Sequence, residues 1–359
     1  MSRIVAVAPV LPDHRYPQHE ITAQLGPLIA RDATSGRRTV LERIHARSGV
    51  TTRHLALPLD QYAGLTSFTD ANDAFVRIGT ELAVQASRAA LTHAQLEPDE
   101  VDLIVFTTIT GVSAPSLDAL VAVRLGLRPD VRRVPMFGLG CVAGAAGIAR
   151  VHDYLVGHPD DVAILVSVEL CSLTLQHGDD SMANVVSSAL FGDGAAAVVM
   201  VGARRAARAG ARGPDVVDTT SRLYPGTDGL LGWDVGGTGF RVVLSASLAD
   251  VIEARLGDDV RALLTRNGLT SADVRAWVAH TGGPRILDAA ERALGLDAHE
   301  LDLSRRSLAN VGNLSSAGVL HVLADTLAEP PTPGAAGVLF AMGPGVSTEI
   351  VLLQWADAA

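Results

Sequence analysis

The sequence contains no lysine. All 29 basic side chains are arginine, so chemistry that needs a lysine amine, such as a Schiff base, is closed to it. Acidic residues outnumber basic ones, and the net charge of −10 leaves no basic face for nucleic acid. Only two cysteines occur, Cys141 and Cys171, which is no disulfide framework and suits a reduced, cytoplasmic setting. No apolar run is long enough to cross a bilayer. The run near the N-terminus is broken by Pro9 and Pro12 and reads as a first strand. No His/Cys/Asp cluster has the spacing of a metal site, and no metal or bound cofactor is expected. Aromatics make up 4 % of a chain that is 48 % hydrophobic. Small and aliphatic residues therefore build the core, as suits helices packed closely on buried strands.

What is present is an alternation of buried strands and helices. VDLIVFTT (101–108), VAILVSVEL (162–170) and AAAVVMVG (195–202) are continuous apolar runs of strand length, the pattern of strands buried on both faces. Helices are predicted near Pro115, over 142–156 and around 182–190. The Arg/Ala/Gly-rich stretch 203–214 is the candidate boundary or exposed loop. The pattern then repeats, with a helix over 246–265, a strand at 275–280, and a glycine turn leading to a helix at Pro284. A second buried helix follows GNLSSA, and GVLFAMG and STEIVLLQW are two closing strands. Pro115 precedes Cys141 by 26 residues and Pro284 precedes Asn313 by 29. The spacing suggests two α/β units of similar topology, with Cys141 and Asn313 at comparable helix starts.

The stretch GLGCVAGAAG (138–147) admits two readings. As G-x-G-x-x-x-G between a strand-like run and a helix, it is a variant dinucleotide fingerprint, with Glu169 as the ribose-binding acid of an NAD(P)-dependent oxidoreductase. Against this, Arg132, Arg133 and Pro135 are poor residues for a central strand. Glu169 also falls 29 residues after Gly140, and a cysteine occupies the turn. The second reading places Cys141 at a helix N-terminus, where free N–H groups and the dipole favour a thiolate. Taken alone, Cys141 also fits as a small buried side chain.

A nucleophilic cysteine needs a base or a cationic partner. His280 closes the buried strand RAWVAH and runs into Thr281-Gly282-Gly283-Pro284, the kind of strand end where α/β proteins place their chemistry. It fits equally a satisfied core histidine. Asn313 fits a helix cap. Together the imidazole and carboxamide could form an oxyanion hole beside a cysteine thioester. That constellation suits decarboxylative Claisen condensation of a malonyl thioester.

With these residues in view, the sequence resembles type III polyketide synthases, the chalcone-synthase-like enzymes of thiolase fold. RVPMFGLGCVAGAAG, SALFGDGAAAVV, AWVAHTGGPRIL, GNLSSA and AMGPG carry the resemblance, in order and along the whole chain. Within the family, GLGCVAGAAG and SVELCSLT make it look most like bacterial alkylpyrone and alkylresorcinol synthases. The resemblance implies a duplicated αβαβα α/β architecture, with two mixed sheets around buried helices. Its halves would be 1–208, carrying the cysteine, and 209–359, carrying the histidine and asparagine. It implies Cys141 as the acyl-carrying nucleophile, His280 as its imidazolium partner, and His280 with Asn313 as holders of the thioester oxygen. Phe191 and Phe240 correspond to gatekeeper aromatics. Cys171 and Thr174 correspond to the elongation cavity, which small side chains can open into an acyl tunnel. Ser315 and the loop Gly343-Pro344-Gly345 correspond to further cavity positions, with Met342 replacing the family's usual Phe. Arg43 and Arg47, four apart and so on one helix face, fall where the family meets CoA phosphates; solvated surface arginines would look the same. The implied enzyme is a homodimer that extends a medium- or long-chain fatty acyl-CoA with malonyl-CoA or methylmalonyl-CoA, then closes an alkyl-α-pyrone or alkylresorcinol. CoA thioesters would be substrates, with no bound cofactor. A ketoacyl-carrier-protein synthase III-like enzyme is the rival of the same chemistry; HTGGPRIL and AMGPG count against it. A non-catalytic acyl-CoA-binding homologue is a further rival, opposed by the complete Cys/His/Asn set.

Overall fold

The structure is a computed structural model that describes residues 1–31 and 36–355. Strands β1 (Ser2–Val10), β2 (His14–Pro17) and β3 (Thr52–Leu55) open the chain with helices α1 (Gln18–Ile29), α2 (Arg37–Ala46) and α3 (Phe68–Ala94). Then follow β4 (Leu103–Thr108), α4 (Leu117–Leu125), β5 (Arg132–Phe137), α5 (Ala143–Gly157), β6 (Val162–Leu170), α6 (Met182–Leu190), β7 (Asp193–Gly202) and α7 (Ala203–Ala209). The remainder is β8 (Pro214–Leu223), β9 (Leu231–Gly236), β10 (Gly239–Leu244), α8 (Leu248–Arg266), β11 (Val274–Ala279), α9 (Pro284–Leu294), α10 (Asp302–Val311), α11 (Gly318–Ala328), β12 (Ala336–Gly343) and β13 (Ser347–Trp355).

The repeat expected from the sequence is a repeat of topology. In the first half β4 runs parallel to β6, β6 antiparallel to β7, and β7 antiparallel to β1. In the second half β11 runs parallel to β12, β12 antiparallel to β13, and β13 antiparallel to β8. The first half adds β5 as an edge strand. The two sheets expected around the buried helices are joined edge to edge. Ser2 and Arg3 of β1 pair with Val216 and Asp215 of β8, and Arg3 also holds the Asp215 carboxylate at 2.7 Å. Among the described residues the strands thus form one nine-stranded mixed sheet, β11-β12-β13-β8-β1-β7-β6-β4-β5.

Strand period sorts side chains into layers. Ile164, Val166 and Val168 of β6 pack into a core with α3, while Ala163 and Leu165 face a second core built on α5 and α11. β12 likewise sends Val338 and Phe340 toward α8 and α9, and Leu339 and Ala341 toward the middle. The long helix α3 starts from a reciprocal Ser67–Asp70 capping box. The stretch read as a boundary or exposed loop opens instead with helix α7, stopped by Gly210 at φ +58°. Among the described residues no helix is long and apolar enough to cross a membrane.

Candidate active site

The middle layer positions the candidate site. Both α5 and α11 carry a glycine near their start where they approach other elements. A Cβ on Gly144 would lie 2.2 Å from the Ser316 carbonyl oxygen, and one on Gly318 would lie 2.7 Å from Thr281 Oγ1. Glycine therefore sets the depth to which the turn before each helix sinks. Cys141 lies in a 3-10 turn, Gly140–Val142, directly ahead of α5. Ser315 lies in the matching turn, Ser315–Ala317, directly ahead of α11. The two turns meet: Cys141 Sγ stands 3.7 Å from Ser315 Oγ, to which it donates. Ser315 adopts φ +48°, a left-handed conformation that costs a non-glycine residue ~1–2 kcal/mol. Asn313 Oδ1 holds it there by accepting the Ser315 N–H at 2.9 Å.

His280 follows β11, and its backbone N–H donates to Phe340 O at 3.0 Å. The chain then turns through Gly283, at φ +127°, into Pro284 at the first turn of α9. Asn313 is fixed through its main chain, with its N–H on Leu190 O at 2.8 Å and its carbonyl accepting Gly192 N–H at 3.0 Å. Cys141, His280 and Asn313 share the wall of one cavity of about 550 Å³. Much of the remaining wall is apolar, including Leu190, Leu248, Ile252 and Met342, and Arg43, Arg47 and Arg285 also border it. Its size is that of a small-molecule site.

Burial works against the thiolate and imidazolium expected of the pair. Burial, with the nearby Glu169 carboxyl adding to it, pushes the Cys141 thiol up to about 12, and the hydrogen bond to Ser315 only partly opposes this. Burial lowers His280 to about 4, and its Nδ1 has no hydrogen-bond partner. Both shifts favour a thiol and a neutral imidazole in the resting site. The sulfur sits one turn ahead of α5, beside a carboxyl group and not a cation, so desolvation outweighs the helix terminus.

Glu169, read from sequence only as a possible ribose ligand, is wholly buried at the end of β6. Its Oε1 accepts from Ser315 Oγ at 3.2 Å and from Ser316 Oγ. Its Oε2 accepts from Thr110 Oγ1 at 2.9 Å and Ile109 N–H at 3.0 Å. A chain of hydrogen bonds thus runs Cys141–Ser315–Glu169. The signal was present: a carboxylate inside the apolar run VAILVSVEL. The strand before the glycine turn, β5, is the exposed sheet edge and not its centre.

Other anticipated residues fall in three places. Cys171 and Thr174 wall a second, small cavity of about 30 Å³, and Phe191 borders both cavities. Phe240 belongs to the wall of neither; it is buried edge-on against Phe68 at 5.3 Å. Gly343 and Pro344 pack against the cysteine turn, while Gly345, at φ +74°, turns the chain toward β13 beside Leu223. A Cβ on Gly343 would lie 2.5 Å from Leu139 O, and one on Gly140 would lie 2.7 Å from Pro344 Cδ. From this stretch it is Met342 that reaches the cavity. Arg43 and Arg47 are exposed at its border, and Arg285, unremarked in the sequence, joins them.

Comparison with known proteins bears on this geometry. The profile described as "Chalcone and stilbene synthases, N-terminal domain" matches residues 1–204, and that of the C-terminal domain matches 215–356. A 1,3,6,8-tetrahydroxynaphthalene synthase of Streptomyces peucetius subsp. caesius is 54 % identical over 98 % of this chain and 93 % of its own. An alpha-pyrone synthesis polyketide synthase-like protein of Mycobacterium tuberculosis is 33 % identical over 89 % of this chain and 83 % of its own. The crystal structure of 1,3,6,8-tetrahydroxynaphthalene synthase from Streptomyces coelicolor, a bacterial type III polyketide synthase, superposes with a TM-score of 0.91. It is 31 % identical and covers 99 % of this chain and 100 % of that one.

Proposed function

Because the chain belongs to the chalcone and stilbene synthase family and is a type III polyketide synthase, a transferase that condenses malonyl-CoA units, we propose that it primes itself with malonyl-CoA and forms a 1,3,6,8-tetrahydroxynaphthalene-type product. The observation that carries this reading is the space beyond Phe191. At about 30 Å³ it has room for roughly two water-sized groups, and an alkyl tunnel is not open there. The 54 % identical naphthalene synthase supports the same product. The carbon balance is simple. Five malonyl-CoA give one ten-carbon naphthalene, five CO2, five free CoA and one water, with the carboxyl group of the starter lost last.

In this reading Cys141 takes the acyl group. The neutral thiol passes its proton to His280 as sulfur bonds to the thioester carbonyl, and the CoA thiolate leaves, taking the proton back from the imidazolium. A second malonyl thioester then enters and loses CO2. The electron pair of the broken C–C bond becomes an enolate, whose oxygen is held by N–H groups of His280 and Asn313. Asn313 suits this role because Ser315 N–H occupies its Oδ1 and leaves the amide N–H groups to donate. The enolate carbon attacks the Cys141 thioester, and the sulfur departs to accept the lengthened chain again. Arg43 and Arg47, with Arg285, serve the CoA phosphates. A homodimer belongs to the reading; exposed Val134 and Phe137 on edge strand β5 support a partner there.

The alkyl-α-pyrone reading has one observation of its own, the apolar wall of the main cavity, which could house a fatty acyl chain short of Phe191. Incubation with malonyl-CoA alone, then with a panel of fatty acyl-CoA starters, separates the two by mass spectrometry. The proposal expects the ten-carbon naphthalene from malonyl-CoA alone. Turnover only when a fatty acyl-CoA is added, with alkylpyrone as product, would overturn it.

A further inference from the structure

The buried face of α2 carries a histidine that the chemistry above does not use. Successive residues of an α-helix are about 100° apart. His45 therefore lies about 200° around the helix from Arg43, and from Arg47 at the C-terminal cap, so it faces away from both. Arg43, Ile44 and Arg47 border the main cavity, whereas Leu41 and His45 are the two residues that α2 buries. Leu41 packs with Ile29, Ala30 and Val185 in a small core of its own. His45 is 1 % exposed and is held at both ring nitrogens. Its Nδ1 lies 2.9 Å from Thr22 Oγ1 on α1, and its Nε2 lies 3.1 Å from Ser188 Oγ on α6. Each hydroxyl is also within hydrogen-bond distance of a carbonyl of its own helix, Gln18 O at 2.8 Å and Val185 O at 2.9 Å. Burial, with Arg53 and Arg38 adding to it, lowers the imidazole to about 3. A neutral ring donates from one nitrogen and accepts at the other, so it can bridge two hydroxyls without burying a charge.

We propose that His45 is a positioning residue for the CoA end of the substrate: its ring ties α2 to α1 and α6 and so fixes Arg43 and Arg47 at the cavity border. The inference rests on the reading above in which those arginines serve the CoA phosphates. Leu41 is the only buried apolar residue of α2. A bridge that is directional at both ends fixes the rotation of the helix about its axis, which one leucine does not. α6 is the facing wall, since Met182, Val186 and Leu190 border the same cavity. The ring therefore sets how two walls of the cavity stand to each other. Arginine recognises phosphate by geometry as well as charge. A shift of α2 would therefore weaken capture of the CoA phosphates while Cys141, His280 and Asn313, which lie on other elements, keep their places.

The test separates the CoA end of the substrate from its reacting end. On the intact enzyme, CO2 release is measured from malonyl-CoA and from the malonyl thioester of N-acetylcysteamine, which keeps the reacting group and lacks the phosphates. His45→Leu is expected to raise KM for malonyl-CoA about three- to tenfold, the range of one ordinary hydrogen bond, with kcat, and kcat/KM for the short thioester, within about twofold of wild type. His45→Gln, whose amide can replace the bond to Ser188, is expected to reverse most of that rise. Thr22→Val removes the α1 hydroxyl at nearly constant shape, is expected to shift KM the same way, and stands in if His45→Leu does not fold. A parallel loss with both thioesters, or an unchanged KM for malonyl-CoA, overturns the assignment. Arg43→Ala combined with Arg47→Ala calibrates the outcome. If that enzyme keeps the wild-type KM for malonyl-CoA, the CoA reading of the arginines fails. If its KM rises and the His45 and Thr22 variants keep the wild-type value, only the role of His45 fails.

Discussion

Gly144→Ala sets two physical effects against each other, and the structure decides the sign. Gly144 lies inside α5, three residues after Cys141. Helix propensity alone favours alanine there by ~1 kcal/mol. However, the new Cβ would lie 2.2 Å from the Ser316 carbonyl oxygen and 2.8 Å from Val319 Cγ1. The first contact is backbone, so no rotamer relieves it, and the two turns must part by roughly 1 Å to restore ordinary contact. Overpacking of this kind costs ~1–3 kcal/mol, so we expect net destabilisation of ~1–2 kcal/mol in urea melts. The segment displaced carries Ser315 and is flanked by Asn313. A misplacement of about 1 Å can cost ~10²-fold in rate, so acylation of Cys141 by a CoA thioester, followed by intact-protein mass spectrometry, should slow by that order. Gly157→Ala is the control on the same helix, because its Cβ would meet nothing within 4 Å; it should be neutral or slightly stabilising. A Gly144→Ala enzyme at least as stable as wild type and acylated within twofold of its rate would refute the close approach of the two turns.

Two further outcomes follow from the charges and contacts at the site. The thiolate is the reactive form of Cys141, and burial raises its pKa to about 12, so iodoacetamide labelling should rise about tenfold per pH unit from 7 to 10 without levelling. A plateau below pH 8 would mean a resting thiolate–imidazolium pair instead; Cys171, also raised well above its usual value by burial and facing only the small cavity, should label more slowly throughout. Asn313→Ala should slow malonyl-CoA decarboxylation by ~10²–10³-fold, the usual effect of deleting an oxyanion donor, yet leave Cys141 acylation within about tenfold. Equal losses in both steps would assign Asn313 to holding Ser315 in its left-handed conformation and nothing more.

Much of the fold could be read from patterning, because its strands are buried on both faces and leave unbroken apolar runs. The run at 162–170 coincides with β6, and GVLFAMG and STEIVLLQW are β12 and β13. β8 escaped notice because PDVVDTTSRL has neither an apolar run nor a strict alternation and lies beside a presumed linker. The hairpin β9–β10 escaped because its glycines mask any period. The convergence of Cys141, His280 and Asn313 on one cavity was anticipated from strand ends and helix starts. The burial that works against their charged forms was not, because it depends on how deeply the tertiary structure encloses each group. His45 was equally silent: a lone histidine in LERIHARSGV gives no sign that both its nitrogens will meet hydroxyls of other helices.

The repeat explains why chemistry collects where it does. Cys141 and Ser315 occupy equivalent turns ahead of equivalent helices, and Gly144 at the start of α5 lets those turns touch. β6 and β12 are likewise equivalent strands, with Glu169 and Met342 each in the penultimate position. One half thus supplies a thiol and a carboxyl group where the other supplies a hydroxyl and a thioether. A symmetric frame brings the four positions together, and asymmetric side chains then divide the labour. Glu169 anchors Ser315 through hydrogen bonds on the buried side, while Met342 walls the open cavity. Exchanging the roles would place a carboxylate beside the acyl chain, where it would repel an incoming malonyl group, and leave Ser315 without its acceptor. Under the proposed reading, with a malonyl group condensing at Cys141, the direction of the asymmetry follows from the charge of that substrate.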